Sequence, residues 1–155
     1  MLELTFTYDG KLDNMEHTIW AAVAAKIEQL TNLMHEKVVE NVSGKILQKQ
    51  SGQLAESIQV RFEYGEAVVR GSVFPEPASP KAWALEKGGE AFYSIVPVKA
   101  RLLHWIDKGG DKVFAKQVNH PPSKAFRYLG EAFDEVAAVA MDELAATVQA
   151  TLDGA

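Results

Sequence analysis

Cysteine is absent from this chain of 155 residues. Disulfide frameworks, thiolate catalysis and cysteine-ligated zinc are therefore excluded, and folding is indifferent to the redox state of the compartment. Long apolar runs are missing too. No segment approaches the roughly 20 residues that span a bilayer, so no membrane association is expected. The opening residues, MLELTFTYDG, have neither a basic n-region nor a long apolar stretch, so no signal peptide is expected. Histidine is scarce. The four present, His17, His35, His104 and His120, never pair at metal-ligand spacing, and they read as structural side chains, with no metal or other cofactor expected.

Catalytic patterns are equally thin. Gly71-Ser72-Val73 lacks the second glycine of a nucleophile elbow. Gly88-Gly89 and Gly109-Gly110 lack the frame of a phosphate-binding loop and read as turns. The carboxylate pairs Asp134-Glu135 and Asp142-Glu143 fall on the polar side of an amphipathic helix, where a solvated face explains them. No nucleophile, base and orienting group converge, so the chain is not expected to be an enzyme.

What is present is an ordinary globular composition, 47% hydrophobic and 24% charged, of a length that suits one domain over residues 1–155. The net charge of −5 argues against a general nucleic-acid binder, because such affinity comes mainly from neutralising phosphates.

Local patterning supplies the elements. Leu2, Leu4, Phe6 and Tyr8 alternate with Glu3, Thr5 and Thr7, the mark of a half-buried strand ended by Asp9-Gly10. Asp13 and Glu16 have capping-box spacing and open a long helix over about 14–42. Along it Ile19, Val23, Ile27, Leu30, Met34, Val38 and Val42 trace one apolar stripe, on a rod roughly 40 Å long. Ser43-Gly44 interrupts the pattern. Gln59–Phe62 and Ala67–Val73 read as strands joined in a hairpin at Tyr64-Gly65-Glu66. Phe74–Pro80, with three prolines in seven residues, reads as loop.

Phe92–Val98, Leu102–Ile106 and Val113–Val118 read as further strands, for a sheet region over about 57–120. His120-Pro121-Pro122 stops the last of them, and Ser123 is placed to cap a final helix over about 123–152. Its stripe is Leu129, Phe133, Val136, Ala140, Leu144, Val148 and Leu152. Strand, long helix, strands, helix: this order predicts an α+β fold, with the two helices packed on a mostly antiparallel sheet.

Four segments, in order, carry the motifs of a single protein family. Ser51-Gly52-Gln53-Leu54-Ala55-Glu56-Ser57-Ile58 resembles the signature [S/T]-G-x-L-x-x-S-I. Trp83-Ala84-Leu85-Glu86-Lys87-Gly88-Gly89 is similar to a Tyr-Ala…Glu-x-Gly-Gly stretch, with tryptophan in the tyrosine's place. Ile95 to Trp105, with Pro97 near its start, is similar to an I-x-P…A-x-x-L-x-[F/W] hairpin. Pro122-Ser123-Lys124-Ala125-Phe126 is similar to P-A-R-P-F, keeping a basic residue at Lys124 and losing the second proline. Together, over about residues 14–140, they resemble a family of bacteriophage minor tail proteins, the tail-completion or head–tail joining (neck) proteins of long-tailed phages. The resemblance implies a structural virion protein that assembles with itself into a ring and contacts other phage neck and tail proteins. It implies a place in the virion, and in the host bacterial cytoplasm during assembly.

Charge is unevenly spread. Lys99, Arg101, Lys108, Lys112 and Lys116 outnumber Asp107 and Asp111 between Ile95 and His120, whereas the last helix carries Glu131, Asp134, Glu135, Asp142 and Glu143. A basic flank and an acidic flank permit head-to-tail association, and mixed solvated faces explain the same residues. The basic hairpin 99–116 and the loop Phe74–Pro80 are the candidate contact surfaces. Alternative readings are a nucleic-acid module stacking bases on Trp105 and Phe114, a tail terminator, and a small enzyme with an unrecognised site. Nucleic acid is not expected as a specific ligand.

Overall fold

The computed structural model describes residues 2–7, 16–47, 52–66, 68–77, 80–89 and 93–154. Asp13 of the capping box, Tyr8, Asp9-Gly10 and Ser51 lie outside the described residues. The fold is α+β, as the element order requires. Helices α1 (Glu16–Glu40), α2 (Gln53–Glu56), α3 (Pro80–Lys87) and α4 (Tyr128–Asp153) accompany strands β1 (Leu2–Thr7), β2 (Ile58–Tyr64), β3 (Val68–Pro75), β4 (Tyr93–Ile95), β5 (Leu103–Ile106), β6 (Lys112–Ala115) and β7 (Val118–His120).

Every member of the α1 stripe from Ile19 to Val38 is buried, and Val42 continues it into a π-helical turn, Asn41–Lys45. There the Asn41 carbonyl accepts two bonds, from Ile46 N at 3.0 Å and Leu47 N at 2.9 Å. Gly44, at φ 145°, supplies the backbone conformation that ends the helix.

α1 lies on an antiparallel sheet of order β1-β3-β2. Val69, Gly71, Val73 and Pro75 of β3 face the helix, beside Ile58 of β2, and all five are buried. The opposite face is polar: Arg70 meets Glu3 at 3.3 Å and Glu63 at 3.1 Å, and the Arg61 guanidinium lies 4.6 Å above the Phe74 ring.

The helix and sheet approach unusually closely at one point. A Cβ on Gly71 would stand 1.9 Å from Thr31 Oγ1 and 2.8 Å from Thr31 Cβ. Thr31 is itself buried, its hydroxyl donating to Ile27 O at 2.7 Å.

α4 packs along α1, so Leu129, Ala132, Val136 and Ala140 close the core from the other side. Leu144 and Val148 are half-buried, and Leu152 at the far end is exposed. Lys26–Glu143 at 3.1 Å, Lys45–Glu135 at 3.2 Å and Lys37–Glu135 tie the two helices along their flanks. These lysines hold the Glu135 carboxyl below the usual range, Lys37 through its hydrogen bond first and Lys45 second.

Four details differ from the sequence expectation. Phe74 and Pro75 belong to β3 and not to a loop: β1 starts at Leu2 opposite Val73, so among the described residues Pro75 has no β1 partner to miss its N–H. Glu76 and Pro77 form a bend as a loop would, residues 78 and 79 lie outside the described residues, and Pro80 already belongs to α3. The sheet region divides into three antiparallel sheets, and Val113–Val118 is split because β6 pairs with β5 while β7 pairs with β4. The last helix begins at Tyr128 and not at Ser123. The preceding stretch is held extended by bonds to α3, described next.

Candidate functional site

Two regions gather the residues singled out by the sequence. The first is a junction between α3 and the start of α4. α3 is bracketed by Pro80 at its first position, where a missing N–H costs nothing, and by Gly88 just past its end. Gly88 has φ 75°, and a Cβ there would fall 2.6 Å from Ser123 O and 2.8 Å from Ala125 N. Glycine is thus required for both conformation and space.

The chain returning to α4 runs beside this helix end. Gly89 N donates to Ser123 O at 3.0 Å, Phe126 N to Leu85 O at 2.8 Å and Arg127 N to Glu86 O at 3.2 Å. Arg127 then turns through a left-handed conformation, φ 51°, and α4 starts.

The cap comes from another element. Glu86 Oε2 accepts from Leu129 N at 2.8 Å and Oε1 from Gly130 N at 3.0 Å, so one carboxylate satisfies two free N–H groups at the positive end of α4. Ser123 therefore does not cap the helix. Its carbonyl is engaged with Gly89 instead.

Beneath the junction Tyr128 is fully buried. Its backbone carbonyl accepts from Asn41 Nδ2 at 2.9 Å, and its hydroxyl lies 3.5 Å from Ala82 O as donor. Burial, reinforced by the Glu86 charge, pushes the Tyr128 phenol up to about 12. A phenol raised in the folded state contributes stability below its unfolded value near 10, and that contribution is lost as pH rises towards 12. In an ultraviolet titration the Tyr128 phenol is expected to ionise above the usual tyrosine value, with stability falling between these limits. A full tyrosinate signal by pH 10.5 from folded protein would contradict it.

Phe74, Pro75, Ala82, Trp83, Glu86, Tyr128 and Leu129 line a cavity of about 190 Å³ at this junction. Its polar members are already committed, Glu86 to the helix cap and Tyr128 to the protonated state. The cavity suits an apolar group and offers no free base.

Three of the four motif segments meet at one core cluster. Leu54 and Ile58 of the first, Leu85 of the second and Phe126 of the fourth all pack there with Tyr128. Gly52 leads into α2 with φ 78°, and Ser57 Oγ donates to Leu54 O at 2.7 Å to close that turn. Trp83 is exposed on α3 with the Lys87 ammonium 4.7 Å above its ring. Pro122 and Lys124 are exposed.

The third segment, with half-buried Pro97, lies in the second region, an arm running from Tyr93 to His120. β4 and β7 form its base, braced by Gln117 Nε2 to Ser94 Oγ and Ser94 Oγ to Asn119 Oδ1, both 2.8 Å. β5 and β6 form its outer ribbon. At the tip Asp107 Oδ1 accepts from Gly109 N at 2.8 Å and Asp111 N at 2.9 Å, while Gly110 takes φ 88°. Asp107 is therefore a turn residue.

Lys99, Arg101, Lys108, Lys112 and Lys116 are all exposed, and among the described residues none of them forms an ion pair. Between them the arm exposes apolar groups: Val98 at 94%, Ile106 at 63% and Phe114 at 59%. The His104 ring covers part of Phe114, with centroids 5.0 Å apart.

The acidic flank is less available. Besides Glu135 and Glu143, which pair with α1, Arg127 binds Asp134 at 2.8 Å and Glu131 at 3.8 Å. Of the five α4 carboxylates named above, Asp142 alone has no such pair among the described residues.

His17 is exposed, and His35 Nε2 lies 3.3 Å from Ile58 O. Among the described residues no group of three or more His, Cys, Asp or Glu is placed to hold a metal ion, and no helix is long and apolar enough to cross a membrane.

Sequence reasoning missed α3, the buried Tyr128 and Asn41, and the cavity. The Pro80–Gly88 bracket was a local signal for the helix. Nothing local marks Glu86 as the cap of a helix 43 residues away. Comparison with protein-family models, with curated proteins and with solved structures finds no match.

Proposed function

We propose that this chain is a structural subunit of the neck or tail of a long-tailed bacteriophage, acting in tail completion or head–tail joining by ring assembly. The observation that carries the reading is the arm. Its exposed apolar groups and unpaired cations form a surface better suited to gripping a protein than to turning over a substrate. The motif resemblance supplies the phage context, and the junction of the second and fourth segments gives that resemblance a physical basis. Those segments hold the start of α4 in place, which any member relying on them would need.

The partners on this reading are further copies of the chain and neighbouring virion proteins, in the virion and in the host cytoplasm while it assembles. A tail terminator would use the same parts. The nucleic-acid reading has less support, since a net charge of −5 opposes the phosphate neutralisation that supplies such affinity.

The test is deletion of the gene from the phage or prophage that encodes it, followed by electron microscopy of the lysate. Filled heads and unjoined or irregular tails are expected. Normal joined virions in the deletion strain would overturn the proposal.

A further inference from the structure

The arm and the body differ in charge. Tyr93–His120 carries five cations against Asp107 and Asp111, a net of +3, which leaves eleven cations and nineteen acids, or −8, for the rest of the chain. Opposite excess on two surfaces of one molecule attracts the arm of one copy to the body of another, and steers their approach.

Size narrows the contact. An apolar cavity of roughly 150 Å³ accommodates benzene, and the cavity between α3 and α4 measures about 190 Å³. The arm presents one phenyl ring of this size, Phe114 of β6, 59% exposed with the His104 ring against part of it. Strand alternation puts Lys112 on the same face as the ring.

The cavity rim is mixed. Glu76, next to Pro75, is exposed and has no ion pair among the described residues. The charged heads of Arg61 and Lys87 lie over the Phe74 and Trp83 rings, beside the cavity and outside its lining. The attraction therefore comes from the acidic body as a whole, and the fit comes from the cavity.

We propose that the arm of one subunit docks on a second copy of this chain, seating Phe114 in the cavity walled by Trp83 and Tyr128. Because arm and cavity are different surfaces, the contact is head-to-tail, and repeated it closes into a ring if the rotation permits. This rests on the ring-assembly reading above and names its contact.

The absence of cysteine makes the test clean. Lys112→Cys, beside Phe114, and Lys87→Cys, on the cavity rim, are purified separately, mixed, and treated with a short bis-maleimide. The mixed cross-linked dimer is expected, and neither variant alone should give one. Adding Phe114→Ala to the Lys112→Cys chain should lower the yield about tenfold or more, as for a central aromatic anchor. Its melting temperature should be unchanged, since the ring is exposed.

Dimers of Lys112→Cys with itself, a yield indifferent to Phe114→Ala, or no mixed product at any concentration would each overturn the docking. Such a failure alongside unjoined heads and tails in the deletion strain would sink this contact alone. A mixed dimer alongside normal virions would sink the phage reading alone.

Discussion

Gly71→Ala is expected to destabilise the protein by about 3 kcal/mol, at the upper end of what overpacking costs in a core. The sign is informative. Replacing a strand glycine by alanine restricts the unfolded chain and on that ground alone should stabilise by about 0.4–1 kcal/mol. The added Cβ, however, would stand 1.9 Å from Thr31 Oγ1 and 2.8 Å from Thr31 Cβ, atoms that belong to a buried turn of α1 and cannot swing away. The helix must lift from β3, and the contacts of Val69 and Val73 open with it. For a chain of this length such a loss lowers the melting temperature by roughly 6–12 °C. Thr31→Ala removes the nearest atom, so Gly71→Ala should cost less in that background. Urea unfolding of the four chains measures the coupling. A Gly71→Ala variant as stable as the parent would refute the close approach.

Glu86→Ala should cost about 2–3 kcal/mol, because a charged acceptor serving two N–H groups is removed from the positive end of α4. Glu86→Gln should fall between, since its amide offers one oxygen where two are used. The distinguishing readout is hydrogen exchange: the Leu129 and Gly130 amides should lose protection well before those in the middle of α4. Uniform loss of protection, or none, would mean that the carboxylate is not the cap.

The two long helices were legible in the sequence because periodicity reports directly on burial: all of Ile19 to Val42 in the first stripe, and Leu129, Val136 and Ala140 in the second, are buried as the spacing requires. The β2–β3 hairpin was legible from its turn. What escaped was non-local. Ser123 has every local property of an N-cap, and loses the role because Gly89 binds its carbonyl and Glu86 reaches the helix first. Val113–Val118 reads as one strand because propensity cannot tell which partner a strand will pair with, and here the partner changes midway.

The candidate site divides the same way. The five cations of the arm were visible as a charge excess. Tyr128 and the cavity were not, because they exist only where three distant segments close on one another. The acidic flank was misleading for the same reason, since the lysines that pair with it lie on α1 and on the turn that follows it.

One buried amide has a mechanical consequence. Asn41 ends the first long helix and bonds the first residue of the last one, Tyr128, within a greasy interior. Sliding α4 by a single turn, about 5.4 Å, would strand both groups in hydrocarbon with nothing to bond. The two rods are thus keyed at one end, and that single bond opposes any slip of one along the other.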